Sequence, residues 1–545
     1  MPGSSLDHRA RTVVVMRRGN LWTLLLAAAA LGLATAARLP AAWESGNALN
    51  HVSGAWMALA DDLAHGRFYR PMLDPDVGYG GTRWFPLAFA AHAALRRAGL
   101  DLIGAGYALS LATGILSVTA AYLLLRRAGL PRAPGAALAA LTLGTFATQY
   151  SLSSIRYDLL PVGLGTLGLA ALARGPSRRA LAAAAFLFAL GFAAKPTALT
   201  APAAAVAWLL IRRERRAALT LGAAVAAAMV AVLGLTNAIS DGRFFEIVEA
   251  TAAGGGSVRD LVVAPARLAH EIAVEDPAAI GLLGAAVAAA LAGSRGHVRA
   301  SRRGAARPAL LPALWLGAAL AALVVVYASP GTGVNHLVEV EVAAALSLGV
   351  AWRARGTAGS IARGLAPVTC ALGVVVVAGM AREDLGRSRL GELRAVAAAL
   401  PPGALLSEDP LLPLLAGQRP FVLDTWMFRL ASERDPALAR PLLDGLRRDE
   451  FAAVVLFQDL DAPGARRWYD RGNLGLEVVG EVARHYRLAE RYGRYHLYLP
   501  IHPAPTEEPV AAAPPGRSPA IPASVLPRSP AIPASSAALG VRAAP

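Results

Sequence analysis

Glu44, Asn47, His51 and Asp62 recur at gaps of three, four and eleven residues, a spacing that sets them near one face of a helix. Leu49, Trp56, Leu59 and Leu63 fall on the opposite face, so the stretch reads as an amphipathic helix lying at a membrane surface. Asp61 adjoins Asp62, and Arg83 follows in Gly80-Gly81-Thr82-Arg83-Trp84-Phe85-Pro86. Further along, Arg156 and Asp158 stand at the edge of one apolar stretch, and Lys195-Pro196 joins two others. Asn335, His336 and Glu339 open another, with Asn335 and Glu339 four residues apart on one face. A carboxylate can take the proton of an attacking hydroxyl, and Arg or Lys can hold a phosphate as negative charge grows on it. Ionisable groups inside apolar segments are costly and usually face a polar cavity. Local ion pairing or snorkelling is the competing account for any one of them. Gathered at one membrane face, they could bind a phosphorylated, polar substrate.

The elements that must position these residues are apolar helices. Of 545 residues, 55% are hydrophobic and 17% charged, against about 25% charged in soluble chains. That deficit excludes an ordinary soluble enzyme. Eleven stretches have roughly the length that a span needs: 20–40, 103–125, 134–151, 157–173, 179–194, 197–211, 218–239, 277–293, 308–328, 336–352 and 364–380. Trp84 to Leu95 is too short to span and reads as interfacial or re-entrant. The net charge of +16 comes almost wholly from arginine, since Lys195 is the only lysine. Arg17–Arg18, Arg126–Arg127, Arg178–Arg179, Arg212–Arg216 and Arg302–Arg303 lie between apolar segments, the pattern of topogenic cytoplasmic loops. With residues 1–19 cytoplasmic, the loop 42–102, the stretch 240–276, the turn at 329–335 and residues 381–500 share the other side. The first span could instead be a cleaved signal, given Ala34-Thr35-Ala36. No basic stripe interleaved with aromatics points to nucleic acid. The lone Cys370 provides neither a disulfide nor a Cys-based metal site.

Residues 381–500 regain charge and show short β-rich runs at 403–407, 420–424, 452–457 and 495–499, with a helical stretch around 436–448. That alternation predicts a small α/β domain. The stretch 501–545 is Pro/Ala/Ser-rich and repeats an octapeptide from Arg517 and again from Arg528, so it predicts a disordered tail. The expected fold is mainly α: a polytopic membrane helix bundle over 20–380, a C-terminal extracytoplasmic α/β domain and the tail. Gly163-Leu164-Gly165-Thr166-Leu167-Gly168 matches a dinucleotide fingerprint but lies in an apolar span, where its glycines serve helix packing. Gly254-Gly255-Gly256-Ser257 lacks the Lys of a phosphate-binding loop and reads as a flexible turn.

One span, an acidic outer loop with Ala60-Asp61-Asp62-Leu63-Ala64-His65-Gly66, then Arg83-Trp84-Phe85-Pro86-Leu87: this order resembles the GT-C membrane glycosyltransferases. The bacterial branch similar to protein mannosyltransferases and lipid A aminoarabinose transferases is the nearest in layout. Gly191-Phe192-Ala193-Ala194-Lys195-Pro196 and Gly333-Val334-Asn335-His336-Leu337-Val338-Glu339 are further echoes, and the likeness covers roughly residues 20–380. It implies transfer of a sugar from a polyprenyl-phosphate donor to a lipid, glycan or protein acceptor at the outer face of a bacterial cytoplasmic membrane. The family's acid typically lies early in the first outer loop, often as Asp-Glu. That pair is missing here, which leaves Glu44, Asp62 and Asp61 as candidate bases. Arg83, Arg156 and Lys195 are the candidates for the phosphate, with Asp158 and His51 beside them, and Asn335, His336 and Glu339 for the sugar pocket. A divalent metal is compatible with such chemistry, although no ligand set can be read from the sequence. A transporter or flippase of a lipid-linked or anionic solute is the alternative; it would favour inverted repeats and helices broken at midplane. A third reading is a membrane receptor whose outer domain binds a partner.

Overall fold

The computed structural model of the protein describes residues 4–74, 78–251, 257–301, 310–329, 331–354 and 356–501. The Gly254-Gly255-Gly256 turn, Arg302–Arg303 and the Pro/Ala/Ser-rich stretch from 502 onward lie outside them.

The chain is an integral, multi-pass membrane protein. Among the described residues, six helices are long and apolar enough to cross a bilayer: Gly19–Ser45, Leu102–Arg127, Arg215–Ile239, Leu310–Tyr327, Val334–Ala351 and Thr357–Ala399. The pair Val258–Glu275 and Pro277–Ala292, bent by 118°, makes a seventh if it is one span. Leu159–Leu172 and Thr200–Ile211 are apolar but shorter, and Arg178–Ala194 has 17 residues. The expected span at 134–151 is broken into Arg132–Ala140, a 3-10 turn at Leu141–Leu143 and Phe146–Ser153. The break falls where two backbones touch, since a Cβ on Gly373 would stand 2.6 Å from the Gly144 Cα. Within the stretch 240–276, Arg243–Thr251 and Val258–Glu275 are helical, the second opened by a capping box of Ser257 and Asp260.

Polar bonds fix the first helix inside the bundle. Arg38, 3% exposed, donates from Nε to Asp384 at 2.8 Å and from Nη2 to the Ser153 hydroxyl at 3.2 Å. In an apolar interior such a pair holds its register, because either partner left alone would be an uncompensated charge. The helix ends at Ser45, and Gly46 turns the chain with φ +63°. Asn50 then caps a separate helix, His51–Ala64, through bonds from the Val52 and Ser53 amides. The single amphipathic helix expected from Glu44 to Asp62 is therefore two pieces, and the residues Ser53–Ala60 are buried rather than half-immersed at a surface.

They are buried between the segment 84–97, where Trp56 meets Trp84 and Phe89, and the C-terminal part of the chain. Strands β1 (Leu73–Asp74) and β2 (Gly78–Tyr79) pair antiparallel in the loop 42–102. Strands β3 (Ala404–Ser407), β4 (Phe451–Leu456), β5 (Tyr486–Tyr492) and β6 (Tyr495–Pro500) make a four-stranded sheet of order β3-β4-β6-β5, parallel only between β3 and β4. The strand expected at 420–424 does not join it. Instead the Tyr79 amide donates to the Phe421 carbonyl at 2.7 Å and the Leu423 amide to the Tyr79 carbonyl at 3.1 Å, tying that segment to the β1–β2 pair. Helix His51–Ala64 packs on the C-terminal segment too. A Cβ on Gly54 would lie 3.0 Å from the Pro410 carbonyl carbon and 3.1 Å from the Leu411 Cα, so the helix rests directly on backbone there.

Gly54→Val should therefore force the helix off this seat. Overpacking of this kind costs about 1–3 kcal/mol, to be seen as a lower unfolding midpoint in detergent, with Gly379→Ala, at an exposed helical position with open space around it, staying close to the wild type.

Candidate functional site

Three loops and the end of one helix converge on a cavity of about 360 Å³. Its wall includes His51, Arg83, Arg156, Asp158, Lys195, Asn335 and His336, together with Trp56, Trp84, Asp424 and Trp426. Seven of the eleven residues singled out from the sequence thus meet at one place. Lys195 ends the helix Arg178–Ala194 in an extended conformation, because Pro196 disfavours the helical region for the residue before it. Its Nζ stands 2.7 Å from Asp158 Oδ1, and Asn335 Nδ2 donates to the same oxygen at 3.2 Å. Arg156 Nε lies 3.6 Å from Asp158 Oδ2, beyond hydrogen-bond reach, and both of those buried atoms are without a bonded partner. Between Arg156 and Asp158, Tyr157 takes φ +59°, a left-handed turn that lets both flanking side chains face the cavity. The turn is held from behind by the Tyr157 hydroxyl, 2.6 Å from His92 Nδ1, while His92 Nε2 bonds the Leu102 carbonyl at 2.8 Å.

Arg83 reaches the same cavity from the loop 42–102 and is exposed. Trp84 stacks on Trp56 with ring centres 4.7 Å apart and 7° between planes, giving the cavity a rigid aromatic side. His51, the first residue of its helix, lines the cavity too, and burial pushes its imidazole down to about 4. It is therefore neutral at pH 7, when one ring nitrogen is a hydrogen-bond acceptor. Glu339 lies deeper. It accepts bonds from Thr200 and from Trp315 Nε1, and it lines a small extension of about 40 Å³ below Asp158 and Lys195.

The three loop carboxylates are not brought to this cavity. Glu44 sits exposed on the last turn of the first helix. The break at Gly46 destroys the helical phase that would have aligned it with His51. Asp61 faces outward between His65, at 3.5 Å, and Arg96, at 3.7 Å. Asp62 is 2% exposed and bonds Arg70 Nε at 2.5 Å, with Arg70 Nη1 donating to the Pro420 carbonyl at 2.8 Å. It clamps the loop 42–102 onto the C-terminal segment. Asp424, which the sequence reading passed over as the end of a strand, lines the cavity. Burial raises its carboxyl, and it caps the helix Thr425–Arg434 through the Met427 amide at 3.0 Å. The Asp-Thr pair opening a helical run was the signal available. Among the described residues no group of three His, Cys, Asp or Glu is arranged to hold a metal.

No protein-family model matches the chain, and no curated protein matches it by sequence. Solved structures do match in fold. ArnT from Cupriavidus metallidurans bound to undecaprenyl phosphate superposes with a TM-score of 0.53 at 15% identity, over 86% of this chain and 97% of that one. The Archaeoglobus fulgidus oligosaccharyltransferase in its apo form gives 0.52 at 11% identity, over 86% and 72%. The structural neighbours are GT-C membrane glycosyltransferases, so the chain has the fold that its sequence resemblance implied.

The Asp62–Arg70 pair has a direct consequence. Asp62→Asn leaves Arg70 charged and buried, and breaking a buried pair from one side costs about 3–5 kcal/mol. The variant should unfold at markedly lower temperature in detergent. Glu44→Gln, at an exposed position, should unfold with the wild type.

Proposed function

We propose that this protein is a membrane glycosyltransferase, which takes a sugar from a polyprenyl-phosphate donor and passes it to a hydroxyl-bearing lipid, glycan or protein. The observation that carries the reading is the convergence of Arg83, Arg156 and Lys195 on one cavity that also holds Asn335, His336 and a Trp56–Trp84 platform, in a chain with the GT-C fold. The solved neighbour named with undecaprenyl phosphate supports a lipid-phosphate donor. Arg156 and Lys195 are the groups to meet the donor phosphate, with Arg83 closing over it from the loop. Asn335 and His336 are placed to bond sugar hydroxyls, and Glu339 backs them from below.

As the acceptor oxygen forms its bond to the anomeric carbon, the bond from that carbon to the phosphate oxygen breaks. The electron pair leaves with the lipid phosphate, where the cations stabilise it. The acceptor proton needs a base, and His51 is the neutral base on the cavity wall. Glu44 and Asp61 lie away from the cavity and Asp62 is committed to Arg70, so His51 takes the role that the sequence reading gave to a loop carboxylate. Arg clusters between spans support an eleven-span topology, with the outer loop and residues 381–500 together on the non-cytoplasmic side of a bacterial-type inner membrane. The Tyr79 bonds to Phe421 and Leu423 support a shared side.

Purified protein should bind undecaprenyl phosphate. Lys195→Ala should weaken that binding about tenfold to a hundredfold, the worth of a hydrogen bond to a charged group, with Lys195→Arg restoring it only in part. Unchanged binding in Lys195→Ala would remove the lysine from the donor site. His51→Gln should keep lipid-phosphate affinity while transfer from radiolabelled undecaprenyl-phosphate sugars to host membranes drops by about 10²–10⁴-fold. Wild-type turnover in that variant would return the base to another group. Reporter fusions after Arg70 and after Asp424 should give the same periplasmic signal; opposite signals would sink the eleven-span arrangement.

A further inference from the structure

A second cavity, of about 600 Å³, lies beside the first and shares His51, Gly331 and Trp426 with it. The remainder of its wall comes from the C-terminal part of the chain: Phe457 and Gln458 after β4, Arg467 and Trp468 on the helix Ala465–Arg471, Asn473, and Arg494 in the β5–β6 turn. Its chemistry is one-sided. Two arginines line it, and among the described residues no carboxylate does. Arg494 is spread over the Phe457 ring, 4.3 Å from its centre, which fixes the guanidinium at the cavity edge.

Two buried acids stand behind this wall, and both are already engaged. Glu408 accepts from the Phe457 amide at 2.5 Å, the Tyr469 hydroxyl at 2.7 Å and Trp468 Nε1 at 3.4 Å. Asp409 takes Arg389 Nη2 at 2.8 Å and the Tyr495 hydroxyl at 3.0 Å. These bonds set the aromatic wall in place and leave the positive charge of Arg467 and Arg494 turned toward the cavity. Flat faces from Trp426, Phe457 and Trp468 suit the C–H faces of sugar rings, and Gln458 and Asn473 offer amide groups to hydroxyls.

We propose that this second cavity is the acceptor site and that the acceptor is an anionic saccharide, carried free or on a lipid, whose acidic group lies against Arg467 and Arg494. The inference rests on the transfer reading above and deepens it. An acceptor seated here would present its hydroxyl at His51, the wall common to both cavities. Its proton passes to the His51 imidazole as the new bond to the anomeric carbon forms, and the lipid phosphate departs into the first cavity.

Binding decides it. In phosphatidylcholine nanodiscs the full-length protein is titrated with trigalacturonate, with maltotriose as the neutral match, and with dioctanoyl phosphatidylinositol against dioctanoyl phosphatidylcholine. A hexaglutamate peptide tests an acidic polypeptide instead. The expected result is binding of an acidic sugar probe at least tenfold tighter than its neutral match, lost in Arg467→Ala/Arg494→Ala and partly kept in Arg467→Lys/Arg494→Lys. Preference for trigalacturonate assigns a free chain, and preference for the inositol lipid assigns a lipid-borne one. Arg467→Ala/Arg494→Ala should leave the affinity for undecaprenyl phosphate unchanged, which separates the site from the phosphate-binding cavity. Equal binding of acidic and neutral sugars, tighter binding of hexaglutamate, or full affinity in the double alanine variant each overturns the proposal. Undecaprenyl phosphate is titrated into the same samples. Its failure to bind wild-type protein would remove the donor reading, while the saccharide data still judge the second cavity by themselves.

Discussion

A buried carboxylate that must be neutralised organises the rest of this molecule. Asp158 has little access to water, and leaving it alone there would cost several kcal/mol. Lys195, Asn335 and Arg156 answer it from a helix end, a 3-10 turn and its own loop. Three chain segments far apart in sequence are thereby held at one point. The compensation is incomplete: one carboxylate oxygen is fully bonded while the other sees Arg156 only at a distance. Positive charge therefore exceeds what Asp158 consumes, and the surplus faces the cavity. A site built for a phosphate needs that imbalance, since cations that are fully spent on the protein have nothing left for a ligand.

The same constraint explains why the C-terminal sheet is not an appendage. The cavity opens away from the bundle, and its outer wall has to come from somewhere. Asp424, Trp426 and Met427 supply part of it, and they are held there by the Tyr79 bonds and by the Asp62–Arg70 clamp that reaches the Pro420 carbonyl. The loop 42–102 is thus a bracket between the bundle and the sheet. Its acidic residues do structural work in that bracket: one pairs inside it and another pairs on its surface.

That division marks what could be read from the sequence. Apolar length is a strong local signal, so the helices around 103–125, 218–239, 308–328 and 364–380 appear close to where they were expected. Lys195, Asp158, Asn335 and His336 were also legible, because charge inside apolar sequence is expensive and has few explanations. The loop was harder. Glu44 and His51 are seven residues apart, two turns of a helix, and only the left-handed Gly46 reveals that no continuous helix joins them. Strand β5 was not legible because four of its seven residues are exposed and three are charged, with none of the alternation that marks a half-buried strand. The second cavity could not have been found at all, since its wall joins residue 51 to residues 331, 426 and 457–494.

The survival of one lysine among so many arginines now has a physical setting. A guanidinium at position 195 would meet Asp158 as a planar fork and satisfy both carboxylate oxygens at once. An ammonium is a compact point charge with three donors. Here one of them bonds Asp158 Oδ1, which Asn335 already shares, so the lysine is anchored through a single oxygen. The remaining donors are free to turn toward the cavity without breaking that anchor. A lysine at this position can hold the protein and a ligand together, where an arginine would be drawn into the protein's own carboxylate.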